Sequence, residues 1–133
     1  MGPVNWLAVV LGAAAFFAVG AVWYGALFGK VWQRELGISD AQLKDGARMP
    51  LIFGLCFLLE LLISSTFGHL IARTSPAPHV VMMMAIGFGA TIMAPAVGIN
   101  YLYQRKSLKL FLIDAGHFVA GMAAMGAVFV FLG

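Results

Sequence analysis

The sequence predicts an all-α integral membrane protein: a single domain, residues 1–133, of four transmembrane helices packed as a bundle. Three observations predict it. The 133-residue chain is 62% hydrophobic, against roughly 45–50% in an average soluble domain. Only 10% of its residues are charged, where about 25% is usual. The few charges are also clustered, so that four long apolar runs lie between them. A small domain leaves much of its surface exposed, and in water that surface would be largely apolar. An ordinary soluble domain is excluded. Disorder is excluded too, because it needs low hydrophobicity and high charge. The single cysteine, Cys56, rules out an internal disulfide framework and a cysteine-based zinc site.

The runs place the spans at about 6–29, 51–72, 80–103 and 110–132. At about 1.5 Å per residue each can cross roughly 30 Å of hydrocarbon. The first carries no charge and lacks the basic leader of a signal peptide, so it is read as a retained helix. The second is interrupted only by Glu60 and the fourth only by Asp114. Barrel strands would alternate polar and apolar residues over about ten positions, which none of the runs does.

Lys and Arg set the orientation. Loop 30–50 holds Lys30, Arg34, Lys44 and Arg48. The third connection holds Arg105, Lys106 and Lys109, and the second only Arg73. Both termini are therefore expected outside a bacterial inner membrane, with the two basic connections in the cytoplasm. The net charge of +3 is a topology signal and a contact for anionic lipid, not a nucleic-acid patch. Within loop 30–50, Gly37 is a helix stop. Ser39 with Gln42 forms a capping box, and Ile38 with Leu43 a staple, for a short surface helix around Asp40 to Lys44.

Small residues mark helix packing, because they let backbones approach in lipid. Gly25 and Gly29 form a GxxxG pair. Ala90, Ala94 and Gly98 form a stripe on span three. Gly116, Ala120, Ala123 and Ala127 share a face of span four, with Phe111, Ala115, Phe118, Met122 and Phe129 on a lipid face. Trp6, Trp23, Tyr24, Trp32, Tyr101 and Tyr103 are read as interfacial anchors.

Glu60 and Asp114 are the residues that lipid should have excluded. A carboxylate at the bilayer centre costs roughly 2.5–3.5 kcal/mol on insertion scales. Counting from the basic ends, Glu60 lies roughly 15 Å deep and Asp114 about 7–10 Å, with His117 one turn deeper. Two states are consistent with this: a neutral Glu60 donating a hydrogen bond, or a Glu60–His117 ion pair. Pro95 lacks an N–H, which frees the carbonyl of Thr91 as an acceptor. Asn100 and Tyr24 extend the polar patch, while His69 stands about 180° round span two from Glu60. These residues form either a structural network or a proton- or cation-binding site. Cys56 shares a face with Glu60 and is read as inert. His79, Met82 and Met83 offer soft ligands, but methionine in so apolar a chain is mostly packing, and neither a metal nor a cofactor is expected. No nucleotide-binding or catalytic motif is present, and no enzyme activity is expected.

Asn5-Trp6, then Gly20-x-x-Trp23-Tyr24-x-x-x-Phe28-Gly29-x-x-Trp32, resembles the opening of the domain of unknown function 1761 family. The closing stretch Leu108-Lys109-Leu110-Phe111-Leu112-Ile113-Asp114-Ala115-Gly116 resembles it as well. The resemblance covers essentially the whole chain, with its motifs at the two ends. It implies a small multi-span membrane protein with no established activity, and a shared pattern that includes Trp23, Tyr24 and Asp114. Glu60 lies outside the motifs. Val19-Gly20 with Trp23-Tyr24 also echoes Val97-Gly98 with Tyr101 and Tyr103, in spans that run the same way.

The expectation is a structural or partner-binding bundle that associates with itself. The alternative is a small proton-coupled transporter or channel-like oligomer, moving protons or a small cation through Glu60, Asp114 and His117.

Overall fold

A computed structural model describes residues 3–39 and 49–132. Helix α1 (Trp6–Val22) begins at Asn5, whose side-chain oxygen accepts the Ala8 N–H at 3.1 Å. The Asn5 amide also donates to the Leu132 carbonyl at 2.8 Å. This bond ties the start of the first span to the end of the last, so both lie at one end of the bundle.

The first span continues through a π-helical turn (Trp23–Leu27), closed by the Phe28 N–H on the Trp23 carbonyl at 2.8 Å. Phe28 then leaves helical geometry, and α2 (Gly29–Leu36) runs on as a short amphipathic helix. It stops at Gly37, whose φ of 71° is the left-handed conformation that glycine adopts freely. The surface helix expected around Asp40 to Lys44 lies outside the described residues.

Helix α3 (Met49–Thr74) satisfies its threonine hydroxyls within itself. Thr66 and Thr74 hydroxyls donate to the carbonyls of Leu62 and Leu70 at 2.9 and 2.7 Å, as a hydrocarbon setting requires. Pro78 opens α4 (Pro78–Phe88), where its missing N–H is no loss. A π-helical turn (Gly89–Met93) follows and leads into α5 (Ala94–Gln104). Pro95 explains it: a proline ring clashes with the carbonyl four residues earlier, here Thr91, and a wider turn relieves the clash. Arg105 ends α5 in the left-handed conformation (φ 56°). Ser107 starts α6 (Leu108–Leu132), its Oγ accepting the Leu110 N–H at 3.1 Å.

Four segments are long and apolar enough to span: Trp6–Leu27, Pro50–Thr74, Pro78–Gln104 and Leu108–Leu132. The protein is a multi-pass membrane protein. Its last span is its centre: α6 packs on α1 on one side and on α4 and α5 on the other, while α3 lies against α1. Glycines sit where side chains from neighbouring helices come in. A Cβ on Gly121 would fall 2.7 Å from the Phe16 ring, and one on Gly126 would fall 2.6 Å from Ala85. Phe16, Phe67, Ala85, Met122, Met125 and Phe129 make up much of the core.

The central place of α6 corrects its expected lipid face. Ala115, Met122 and Phe129 are 8%, 1% and 3% exposed, because a helix gripped from both sides has no broad face left for lipid. Gly116 does pack, against Trp23, and Ala120 is half-buried. On span three the close approach is at Gly89, where a Cβ would lie 3.0 Å from the Val119 backbone, and at Gly98, against Phe111. Ala90 is exposed and Ala94 half-buried. The π-helical turn uses one residue more than an α-turn, which shifts the packed face from Ala90 to Gly89. A Cβ on Gly25 would meet nothing within 4 Å among the described residues, and Gly29 abuts the Tyr24 carbonyl at the helix break. Among the described residues, the GxxxG pair does not form a helix–helix contact within the protomer.

Candidate functional site

Asp114 is 6% exposed and lies about two turns into α6. Its two carboxylate oxygens are taken by two phenols. Tyr24 donates to Oδ1 and Tyr101 donates to Oδ2. Tyr24 stands in the π-helical turn of span one, and Tyr101 in the last turn of α5. The carboxylate therefore joins three spans. Hydrogen bonds to ionised groups are stronger than neutral ones, and a buried acceptor left unpaired is costly.

Aromatic side chains frame this clamp. Trp23 Nε1 donates to the Ile113 carbonyl at 2.9 Å, and its ring lies on Gly116. The Tyr24 ring meets Trp32 at 5.4 Å and His117 at 4.9 Å, both edge to face. His117, one turn from Asp114, also packs edge-on against Phe16 at 5.3 Å. Its Nε2 points at Gly20, where a Cβ would lie only 3.0 Å away.

Glu60 stands apart from the clamp. It is 8% exposed and lies on the face of α3 turned to α1. Neighbouring contacts bracket its position. Ser64 Oγ donates to the Val9 carbonyl at 2.7 Å, and Phe57 meets Phe17 at 6.0 Å. Glu60 thus falls between the levels of Gly12 and Phe17 on α1, and His117 approaches α1 at Phe16 and Gly20. Glu60 Oε1 and His117 Nε2 are both buried, and neither has a hydrogen-bond partner among the described residues. The Glu60–His117 ion pair, one of the two states consistent with the sequence, is not formed through these atoms.

Residues 7–130 match the model of a family described as Protein of unknown function (DUF1761). The chain belongs to the DUF1761 family. No curated protein matches it, and no solved structure does. In this DUF1761 chain, the residues quoted from the two terminal motifs meet in space: Trp23 and Tyr24 from the opening close on Ile113 and Asp114 from the ending.

Of the residues read as a polar site, the structure brings together Asp114, His117 and Tyr24. Glu60 lies deeper. Thr91 is exposed and donates to the Gly87 carbonyl of its own helix at 2.6 Å, and Asn100 is exposed. His69 is exposed as well, bonded through Nδ1 to the Ser65 carbonyl and packed on Trp6. Cys56 is exposed. Met82 packs near Gly126 while Met83 is exposed, so the two thioethers point different ways.

Tyr101 and the indole N–H of Trp23 were not among the expected site residues. Both look like interfacial anchors when each span is read alone. Depth is the signal that finds Tyr101. It lies near the basic end of span three, level with Asp114 on span four, and a buried carboxylate at that level needs donors.

Proposed function

We propose that the protein is a structural, self-associating membrane bundle that offers its lipid-side faces to a protein partner and catalyses no reaction. One observation carries this reading: Asp114, the carboxylate bridging three spans, has both oxygens engaged by tyrosines of its own chain. A charge used in this way holds helices together. Self-association is supported by glycines with open space beside them. Gly25, Gly54 and Gly87 lie inside spans, yet a Cβ there would meet nothing within 4 Å among the described residues, and small residues let a second backbone approach closely in lipid. In this reading the bundle sits in a bacterial inner membrane. Its termini are outside and its basic connections cytoplasmic, as the Lys and Arg bias supports.

The test is the mass of the assembly in lipid nanodiscs. Species above the 14.2 kDa protomer are expected, and Gly54→Leu or Gly87→Leu should lower their share without unfolding the protein. A protomer alone at every protein-to-lipid ratio would sink the reading.

A second reading is favoured by Glu60 Oε1 and His117 Nε2, buried without hydrogen-bond partners among the described residues. It is a small proton-coupled transporter or channel-like oligomer using Glu60, Asp114 and His117. Intramembrane ionisable groups mark proton pathways in many membrane proteins. Proton flux into liposomes that Glu60→Gln abolishes, with assembly intact, would support it. Equal flux from protein-free liposomes and from the wild type would remove it.

A further inference from the structure

Cations gather at the end of the bundle that carries α2. Lys30 and Arg34 stand one turn apart on α2. With Gln33 and Ile38 they line an open recess of about 270 Å³. Both basic side chains are exposed. The first turn of α6 adds Lys109, and the turn between α5 and α6 adds Arg105 and Lys106, all exposed. Ser107 holds that turn to α2, its Oγ donating to Glu35 Oε2 at 3.0 Å. This bond engages one oxygen of the one carboxylate of α2. Glu35 also lies about 100° round the helix from Arg34, off the Lys30–Arg34 face.

The recess lies at the edge of the hydrocarbon. Helix α2 starts where a spanning segment ends, at Leu27, and Trp32 packs edge-on against Tyr24 at 5.4 Å. Aromatic residues of this kind hold an amphipathic helix at headgroup level. A phosphodiester carries one delocalised negative charge and several acceptor oxygens, which a guanidinium and an ammonium can share. Ile38 provides an apolar wall for the carbon chain beside the phosphate. A zwitterionic headgroup would bring its own cation toward Arg105 and Lys106, and the surplus of positive charge disfavours it.

We propose that this recess binds the phosphate of an anionic phospholipid headgroup, with Lys30 and Arg34 as its ligands. The proposal is independent of self-association and of proton transport. The site belongs to the membrane leaflet that contacts α2, and ionic strength weakens it, because its charges are exposed.

The test is native mass spectrometry of the full chain released from nanodiscs containing phosphatidylcholine and phosphatidylglycerol in equal parts. Phosphatidylglycerol should be retained on the wild type in preference to phosphatidylcholine. Lys30→Gln with Arg34→Gln should cut that retention about ten- to thirtyfold, in line with the attraction of two basic residues to an anionic surface. The exchanged pair, Lys30→Arg with Arg34→Lys, should keep it. Arg73→Gln, at the opposite end of the bundle, should leave it unchanged. Wild-type retention in the Gln pair would overturn the proposal, and so would equal loss in Arg73→Gln. Inorganic phosphate in pure phosphatidylcholine discs provides the last arm. If it stabilises the protein against heat as much as phosphatidylglycerol does, the site reads free phosphate and the lipid proposal fails.

Discussion

Tyr24 and Tyr101, from spans on opposite sides of α6, donate to separate oxygens of the same carboxylate, Asp114. The two bonds turn a residue that lipid disfavours into the fastener of three helices. Removing one phenol should leave half the carboxylate unpaired. Tyr24→Phe and Tyr101→Phe should each lower stability by about 0.6–1.7 kcal/mol, the range for polar contacts between membrane helices. Asp114→Ala should cost more than either, because it also opens space in the bundle. Unfolding in nanodiscs, read as a double-mutant cycle with Asp114→Asn, measures the coupling. Strict additivity of the tyrosine and Asp114 variants would show that the clamp carries no energy.

Trp23→Phe removes the indole bond to the Ile113 carbonyl while keeping an aromatic ring near Gly116. A loss of about 0.5–1.5 kcal/mol is expected. The same unfolding measurement checks it, and an unchanged midpoint would mean that the indole N–H is dispensable.

Glycine variants should separate packing within the protomer from packing between copies. Gly121→Ala places a methyl group 2.7 Å from the buried Phe16 ring, and overpacking of this kind typically costs about 1–3 kcal/mol. Gly87→Ala meets open space and should leave protomer stability unchanged or slightly raised. Unfolding midpoints of the two variants should therefore move in clearly different ways. Equal loss from both would contradict the packing described for α6.

Glu60→Leu should raise stability by about 1–3 kcal/mol, because it replaces a buried carboxylate that has an unpartnered oxygen. The variant should also abolish any proton flux. A stability gain together with a loss of activity would mark Glu60 as a residue retained for function. A large stability loss would mean that Glu60 has a partner in the assembled state.

Reporter fusions at the two ends of the chain test the direction across the membrane. Both termini should report an outside location. Asn5 and Leu132 lie at one end of the bundle, bonded to each other, so opposite locations would contradict the fold as well as the orientation.

The spans were legible in the sequence because charge is excluded from hydrocarbon, and the gaps between charges therefore trace the helices. The Gly37 stop was legible because a left-handed residue without a Cβ is a local requirement. The arrangement of the helices was not legible. Nothing in span four alone says that it is gripped from both sides, so Met122 and Phe129 read as lipid-facing when they are core. The clamp was half legible. Asp114, His117 and Tyr24 stand out as polar groups inside apolar runs, while Tyr101 at a span end has the same appearance as an anchor. The echo of Val19-Gly20 in Val97-Gly98 now has a spatial counterpart. Spans one and three flank α6, and each brings a glycine to it: Gly20 to His117 and Gly98 to Phe111.

The π-helical turn at Gly89–Met93 acts on everything after it. It works as a phase shifter, adding one residue to the winding of span three without adding a turn. Winding the same residues as an uninterrupted α-helix would give a span of nearly the same length. It would also rotate the rest of the span by about 100°, carrying Tyr101 away from Asp114 while leaving hydropathy almost untouched. What this chain must conserve at that point is angular bookkeeping, and a hydropathy plot would not register its loss.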